Sequence, residues 1–293
     1  MATTLRARAR RAPLAPPRPF VKWAGGKGRL LPQLVPLLPP GVHLMRHVEP
    51  FVGGGAFFFA QKPERALLAD VNPALIRTYA AIRDEVEAVV AALDVLATEH
   101  RAGDTEHAKA CFYRNRERYN APASRSDAEH AALFVYLNKT CFNGLHRVNR
   151  RGAFNVPFGR YANPKIVNPD ALRAASVALA RAELSTQPFE ALVATARPGD
   201  FVYFDPPYEP VSETARFTAY ARNGFDRDDQ TRLRDVFAEL DRRGCKLMLS
   251  NSDVPFVRDL YERWRIDTVA AARAINCDAR GRGKVREVVV RNY

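Results

Sequence analysis

Acidic residues are absent from the first part of this chain: no Asp or Glu precedes Glu49, whereas nine Lys or Arg do. The whole chain of 293 residues has a formal net charge of +13. A strong basic excess favours a polyanionic partner such as a nucleic acid. A solvated basic surface, or the Arg-rich codon usage of a GC-rich genome, is the alternative explanation.

Cysteine is scarce and scattered. The four cysteines show no CxxC spacing and none follows a proline, and the six histidines form no ligand pattern. The spacing argues against a zinc site and against a disulfide framework, and it excludes a Pro-Cys nucleophile. We therefore expect no metal and a reduced, cytoplasmic protein.

Long apolar runs and a GxGxxG motif are also missing. No run is long enough to span a membrane, and without GxGxxG a dinucleotide-binding fold is disfavoured. The Arg-rich and Pro-rich residues 1–19 superficially resemble an organelle transit peptide. Their prolines oppose an amphipathic helix, so we interpret them as a disordered basic arm.

A short polar motif follows the apolar run Phe201 to Phe204, which is typical of a buried strand. The motif is Asp205-Pro206-Pro207-Tyr208, and ligands of open α/β sheets bind at such strand ends. Asp205 and the Pro206 carbonyl can accept hydrogen bonds from an exocyclic amine, while Tyr208 can stack on a planar base. The rigid prolines hold the acceptors still. The motif indicates methylation of a base amine, and a plain Asp-Pro turn is the alternative.

A glycine loop lies far upstream, in Val48-Glu49-Pro50-Phe51-Val52-Gly53-Gly54-Gly55. Its surroundings predict a strand, a loop and a helix, with glycines that let the backbone approach a cofactor. Leu67 to Asp70 predicts a second strand that ends in an acid suited to ribose hydroxyls. Because Asn72-Pro73 follows, Asp70 as a helix N-cap is the alternative.

A third motif, Lys22-Trp23-Ala24-Gly25-Gly26-Lys27, places small residues between a Trp and two lysines. Such a set can hold an anionic tail, such as the carboxylate of an amino acid. A buried Trp with solvated lysines is the alternative.

Taken together, the motifs resemble those of the Dam family of DNA adenine-N6 methyltransferases. The matches run in family order: KWAGGK (22–27), EPFVGGG (49–55), ADVN (69–72), FNGL (142–145), GAFNVPFG (152–159), DPPY (205–208), FTAY (217–220) and LSN (249–251). The resemblance implies an α/β, Rossmann-like methyltransferase sheet with helices on both faces. It also implies an inserted, mainly helical target-recognition domain with a basic hairpin loop.

The resemblance further implies S-adenosylmethionine as the cofactor, S-adenosylhomocysteine as the product, and no metal. Asp70 would bind the ribose, and Lys27 would bind the methionyl carboxylate. The implied cofactor-binding residues are Trp23, Lys27, Phe51, Gly53, Gly55, Asp70 and Asp205. The implied catalytic residues are Asp205, Pro206 and Tyr208.

Double-stranded DNA is the implied partner, with GATC as the expected site. Arg147 can pair with guanine O6 and N7. Phe142 can fill the space that a flipped base vacates, and a minor core role is its alternative. The implied DNA-binding residues are Lys22, Lys139, Phe142, Asn143, Leu145, Arg147, Pro157, Arg160 and Tyr161. Residues 137–161 carry five Lys or Arg and no acid, which suits a DNA path.

The sequence pattern divides the chain into three parts. Residues 20–74 and 176–293 are expected to form the catalytic, S-adenosylmethionine-binding domain, and residues 75–175 the target-recognition domain. Helical periodicity over Val86 to Glu99 and Ala128 to Leu137 supports a helical insertion. Strands are expected at Lys246 to Leu249 and Val285 to Val290.

Two other functions are kept as alternatives. One is a Pro-Pro-Tyr methyltransferase that acts on RNA or on a glutamine amide, which the basic insertion disfavours. The other is a non-catalytic DNA-binding protein, which the intact Asp205, Tyr208 and glycine loop disfavour. We expect a bacterial or phage-encoded enzyme without an obligate protein partner; a cognate restriction enzyme in the cell is left open.

Overall fold

The structure is a computed structural model that describes residues 15–211, 225–272 and 284–293. Most of the expected basic arm (1–19) therefore lies outside the described residues. The FTAY motif (217–220) lies wholly outside them.

A seven-stranded sheet forms the centre of the molecule. Its strands are β1 (His47–Glu49), β2 (Ala66–Asp70), β3 (Ala182–Thr186), β4 (Phe201–Phe204), β5 (Lys246–Ser252), β6 (Arg265–Ala272) and β7 (Lys284–Arg291). Their order is β3-β2-β1-β4-β5-β7-β6. The strands β1 to β5 run parallel, whereas β7 is antiparallel to both β5 and β6. The expected Rossmann-like methyltransferase sheet is confirmed.

Ten α-helices are described. They are α1 (Leu31–Leu34), α2 (Ala56–Gln61), α3 (Pro73–Asp84), α4 (Val86–Arg101), α5 (Thr105–Asn120), α6 (Asp127–Thr140), α7 (Pro169–Leu179), α8 (Leu192–Thr195), α9 (Arg227–Arg242) and α10 (Pro255–Leu260). The local sequence explains where several of these helices begin. Asn72 caps α3 by accepting from Leu75 N, with Pro73 in the first turn. Asp226 and Asp229 form a capping box at α9.

The two central strands β1 and β4 are buried along their whole length. Parallel strands that are covered on both faces have continuous apolar sequences, which is why Phe201 to Phe204 can be recognised as a strand from the sequence. Side chains alternate between the faces: Phe201 and Tyr203 pack in one core cluster, and Val202 and Phe204 in another. Helix α9 covers the second face through Phe237.

The helices inserted between β2 and β3 share a core with the sheet. One cluster of buried residues joins Leu68 of β2 and Phe58 of α2 to Leu93 of α4 and Phe134 of α6. Nearly every side chain of α6 is buried, so this helix is the centre of the inserted part. The boundaries at residues 75 and 175 stay predictions.

The end of α6 and the chain that follows it fold back over residues 138–161, which we call the recognition segment. Cys141 pairs antiparallel with Phe158, and Val148 with Phe154. Asn143 (φ 53°) and Gly144 (φ 63°) adopt left-handed backbone conformations where the segment turns. The segment is therefore a hairpin-like loop closed by two antiparallel bridges.

Candidate active site and nucleic-acid interface

Three acids lie at the same edge of the sheet. The strands β2, β1 and β4 are parallel neighbours, so Asp70, Glu49 and Asp205 all occupy their carboxyl ends. The strand order reverses between β1 and β4, and this is where open α/β sheets bind ligands. The motifs therefore converge at one site although they are far apart in the chain.

Asp205 forms a buried ion pair with Lys27. The distance from Lys27 Nζ to Asp205 Oδ1 is 2.7 Å, and the Lys27 side chain is 5% exposed. Lys27 Nζ also donates to the Gly25 carbonyl at 2.6 Å. Burial raises the pKa of Asp205 to about 6 against the opposing effect of Lys27, and Glu287 and Glu49 raise it further. The pKa of Asp205 is therefore close to physiological pH, and above that pKa the side chain is a carboxylate that accepts hydrogen bonds.

Tyr208 is held by an acid that the sequence reasoning missed. Its hydroxyl donates to Glu287 Oε2 at 2.7 Å. Glu287 belongs to β7, and its register opposite Ser252 brings it to the loop that follows β4. Lys27 Nζ lies 4.6 Å from the Tyr208 ring centroid. Burial raises the pKa of Tyr208 well above its usual value, so the phenol stays protonated as a donor.

Hydrogen bonds from two other elements fix the loop after β4. Gln230 Nε2 of α9 donates to the Pro207 carbonyl at 2.9 Å. The fully buried Asn251 of β5 donates to Gln230 Oε1 at 3.0 Å and accepts from Glu209 N at 3.1 Å. The LSN motif thus orients the Pro-Pro turn.

Asp70 is an acceptor for the backbone of the glycine loop. Its Oδ2 accepts from Gly53 N at 3.1 Å, and its Oδ1 accepts from Asn72 N at 3.0 Å. Burial raises the pKa of Asp70, and these backbone donors oppose the rise. Asn72 and not Asp70 caps α3, so the N-cap alternative for Asp70 is wrong.

The glycines of the loop are required by neighbouring side chains. A Cβ on Gly53 would lie 2.7 Å from Trp23 Cδ1, and one on Gly55 would lie 2.6 Å from the Tyr79 hydroxyl. Tyr79 in turn donates to the Gly53 carbonyl at 3.0 Å. Packing of Trp23 and Tyr79 is therefore a reason for the glycines that the sequence pattern did not reveal.

Trp23 and Phe51 flank this loop. The Trp23 ring is half-buried and stacks on His146, with centroids 5.5 Å apart. Phe51 packs against Phe189 at 5.6 Å and against Phe225 at 5.9 Å. Both aromatic residues border the edge where Asp70 lies.

A buried amide joins the first motif to the recognition segment. Asn138 accepts from Lys22 N at 2.7 Å and donates to the carbonyls of Lys22 and Gly144. Lys22 Nζ lies 4.2 Å from the Tyr161 ring centroid. A Cβ on Gly144 would lie 2.4 Å from Lys22 Cδ, so the approach of the two segments requires glycine here.

Arg147 and Phe142 project from the recognition segment. Arg147 Nε donates to Asn155 Oδ1 at 2.7 Å, which fixes one edge of an exposed guanidinium. Phe142 is 50% exposed, so the alternative of a core role for it is wrong. Asn143, Pro157 and Arg160 are also exposed, while Leu145 and Tyr161 are half-buried.

Comparison with known proteins identifies the family. Residues 23–275 match the family of D12 class N6 adenine-specific DNA methyltransferases. The chain belongs to this family. A type II methyltransferase of Lactococcus lactis subsp. cremoris is 41% identical over 94% of this chain and 95% of its own length. One of Methanocaldococcus jannaschii is also 41% identical, over 94% and 99%. The DNA adenine methylase of Escherichia coli K12 is 37% identical, over 93% and 94%.

The expected activity is thereby confirmed: the chain is a DNA adenine-N6 methyltransferase. Membership of the family implies S-adenosylmethionine as the methyl donor. Asp70 fits this donor, since a carboxylate has about four lone-pair positions and the backbone N–H groups of Gly53, Asn72 and Val71 use at most three. The remaining acceptor capacity suits a ribose hydroxyl.

Lys139 of this methyltransferase lies in a cluster of cations. Burial lowers its pKa to about 8, and the charges of Lys22 and Arg18 lower it further. Three cations at close range repel one another, so an anion such as a phosphate stabilises them. Lys22 and Lys139, two of the residues implied for DNA contact, therefore lie at one electropositive position.

No helix in residues 15–211, 225–272 and 284–293 is long and apolar enough to cross a membrane. Within the same ranges, no group of three or more His, Cys, Asp or Glu is arranged to hold a metal ion.

Proposed function

We propose that this methyltransferase methylates the N6 atom of a flipped adenine in duplex DNA at GATC sites, using the acids at the carboxyl ends of β2 and β4. The observation that carries the proposal is the ion pair of Lys27 and Asp205, whose charged atoms are 2.7 Å apart. The pair lies beside Tyr208, at the point where the strand order of the sheet reverses. A buried acceptor next to an aromatic ring suits an amine on a planar base.

In the proposed cofactor pocket, Asp70 accepts hydrogen bonds from the ribose hydroxyls of S-adenosylmethionine. Trp23 and Phe51 supply apolar surface, and Gly53 and Gly55 shape the loop between them. Lys27 has three N–H donors, of which Gly25 and Asp205 use two. The third is available for the methionyl carboxylate, so Lys27 can bind the cofactor while it remains paired with Asp205.

S-adenosylmethionine supplies an electrophilic methyl group when it is bound. The chain's own residues position the amine that attacks it. The Asp205 carboxylate and the Pro206 carbonyl accept the two N–H groups of adenine N6, which directs the nitrogen lone pair at the methyl carbon. The Tyr208 ring stacks on the base, and Glu287 holds that ring by its hydroxyl.

The recognition segment is proposed to read the DNA. The free edge of the Arg147 guanidinium faces guanine O6 and N7, while Leu145 and Pro157 contact thymine methyl groups. Phe142 fills the space that the flipped adenine leaves. The remaining contacts, which position the duplex, are assigned to Lys22, Lys139, Asn143, Arg160 and Tyr161.

Methylome sequencing tests this function directly. The full chain and its Asp205→Ala variant are expressed in cells that lack adenine methylation of their own. We expect N6-methyladenine in GATC with the wild-type chain and none with the variant. Methylation at another sequence would overturn the GATC assignment alone. An active Asp205→Ala variant would overturn the catalytic assignment.

A further inference from the structure

His146 belongs to the recognition segment, and its ring packs against residues that border the proposed cofactor pocket. It stacks on Trp23, with centroids 5.5 Å and planes 21° apart, and on Phe134, at 5.3 Å and 27°. Asn72 Nδ2 and His146 Nδ1 are 3.4 Å apart. One side chain thus contacts residues from three separate parts of the chain.

His146 is held as a neutral ring. Burial lowers its pKa to about 4, so at neutral pH the imidazole has one N–H and one acceptor nitrogen. The amide nitrogen of Asn72 faces Nδ1. We therefore assign the acceptor to Nδ1 and the proton to Nε2.

Two of the neighbours of His146 fix the position of Asp70. Trp23 packs directly over Gly53, whose N–H donates to Asp70 Oδ2. Asn72 donates its backbone N–H to Asp70 Oδ1. A displacement of the His146 ring therefore reaches the ribose acceptor by two routes, through an aromatic stack and through a hydrogen bond.

On the other side, His146 is followed directly by the proposed base-reading residue. The Arg147 carbonyl accepts from Asn155 N at 3.1 Å, and its guanidinium is bonded to the Asn155 side chain. The backbone of this part of the recognition segment is therefore placed by a β-type pairing on one side and by the His146 stack on the other. The ring position therefore helps to place the backbone from which Arg147 extends.

We propose that His146 is a positioning residue that couples cofactor binding to DNA recognition, an inference that rests on the proposed function. Both ligands require the stack of Trp23, His146 and Phe134 in one arrangement. The ligand that binds first orders the stack, which costs conformational entropy. The second ligand then binds to a stack that is already ordered, so its binding does not include this loss of entropy. By linkage, each ligand then tightens binding of the other by the same factor.

Paired titrations of the full chain test the coupling. The affinity for a GATC duplex is measured with and without S-adenosylhomocysteine, and the affinity for S-adenosylhomocysteine with and without the duplex. For each ligand, the ratio of its affinity with the other ligand present to its affinity without it is calculated. In the wild type, the two ratios should be equal and greater than one. In His146→Ala, both ratios should fall towards one, and binding of S-adenosylhomocysteine alone should weaken by roughly two- to tenfold, as expected for one lost aromatic pair.

Three matched variants separate the stack from the hydrogen bond and from simple packing. His146→Phe keeps a flat ring but has no Nδ1 acceptor, so it should retain the part of the coupling that the stack carries and lose the part that depends on Asn72. His146→Leu fills the volume without a ring and should lose the coupling, including where His146→Ala does not fold. Asn72→Ser keeps an N-cap for α3 but is too short to reach His146, and it should lose part of the coupling.

The outcomes are distinguishable. Equal coupling in the wild type and in folded His146→Ala or His146→Leu would overturn the role of His146 and leave the proposed function intact. Ratios of one in the wild type would overturn the inference in the same way. If the wild-type chain binds no S-adenosylhomocysteine, the proposed cofactor pocket is wrong, and the inference falls with it.

Discussion

At the scale of single residues, one ammonium group serves two purposes at the catalytic edge. Lys27 neutralises Asp205 and lies over the Tyr208 ring, while Glu287 of β7, two strands away from β4, binds the Tyr208 hydroxyl. Burial, opposed by Lys27 and reinforced by Glu287 and Glu49, decides whether Asp205 is a carboxylate. Since the protonated acid is a poorer acceptor for the adenine amine than the carboxylate, the protonation state of Asp205 also sets the pH range of catalysis.

We predict that kcat/KM rises with pH through about 6 and then levels off. The sign follows from the buried Asp205, whose pKa is raised to about 6 and which is active above that pH. Lys27→Met removes the charge that opposes the rise, so its profile should shift to higher pH. Glu287→Gln removes a charge that adds to the rise, so its profile should shift to lower pH. Profiles that coincide for all three proteins would exclude Asp205 as the titrating group.

At the scale of elements, the glycine loop and the recognition segment are shaped by contacts with the first motif. Trp23 occupies the space where a Cβ on Gly53 would stand, and the Lys22 side chain occupies that of Gly144. The loop and the segment can each take their conformation only because these positions have no side chain. The cofactor edge and the DNA edge are thus built against the same short stretch of chain.

Gly53→Ala should displace the Trp23 ring and weaken binding of S-adenosylmethionine. The added Cβ would lie 2.7 Å from Trp23 Cδ1, and the left-handed φ of 47° adds strain. Gly41→Ala is the matched control, because Gly41 has a φ of 72° but no atom within 4 Å of the added Cβ. Calorimetric titration should show at least a tenfold loss for Gly53→Ala, about 1.4 kcal/mol, and little change for the control. Equal losses in both variants would mean that backbone strain alone is responsible.

Arg147→Ala should relax sequence choice while leaving non-specific DNA binding mostly intact. Losing one bidentate contact to guanine costs about 1–3 kcal/mol of discrimination. Lys139→Ala is the control, because loss of a phosphate contact weakens binding to all sequences alike. Methylation rates on GATC duplexes and on duplexes changed at one base pair provide the comparison. A uniform loss of rate in both variants would assign Arg147 to the DNA backbone.

At the scale of the whole molecule, the charge distribution suits a DNA-bound enzyme. The net charge is +13, and Lys139 of the recognition segment lies close to Lys22 and Arg18. Electrostatic contacts of this kind release counterions, so affinity depends steeply on salt. Residues 1–14 add four arginines and no acids to this total.

Deletion of residues 1–14 should leave the fold and the chemical step intact but lower DNA affinity. If the arginines contact phosphates, the slope of log affinity against log salt should become shallower by about 0.9 for each lost contact. Binding across a salt series and a single-turnover rate measure the two effects separately. Identical slopes for the full and shortened chains would show that this segment does not contact DNA.

The family, the activity and the strands that carry the motifs were predictable from the sequence alone. Central parallel strands are buried on both faces, so β4 appears as an unbroken apolar run next to Asp205. The strands β3 and β6 were not predicted. Ala182 to Thr186 forms an edge strand with a partly exposed, polar sequence, so its pattern carries little signal.

Only the tertiary structure decided which motifs touch. The pairing of Lys27 with Asp205, the Glu287–Tyr208 hydrogen bond and the His146 stack each join residues far apart in the chain. No local pattern encodes such contacts, because they depend on strand order and on the register of β7 against β5. Chemistry-bearing residue types are visible in the sequence because hydrogen-bonding capacity belongs to the side chain. Their partners are not, because proximity is a property of the folded chain.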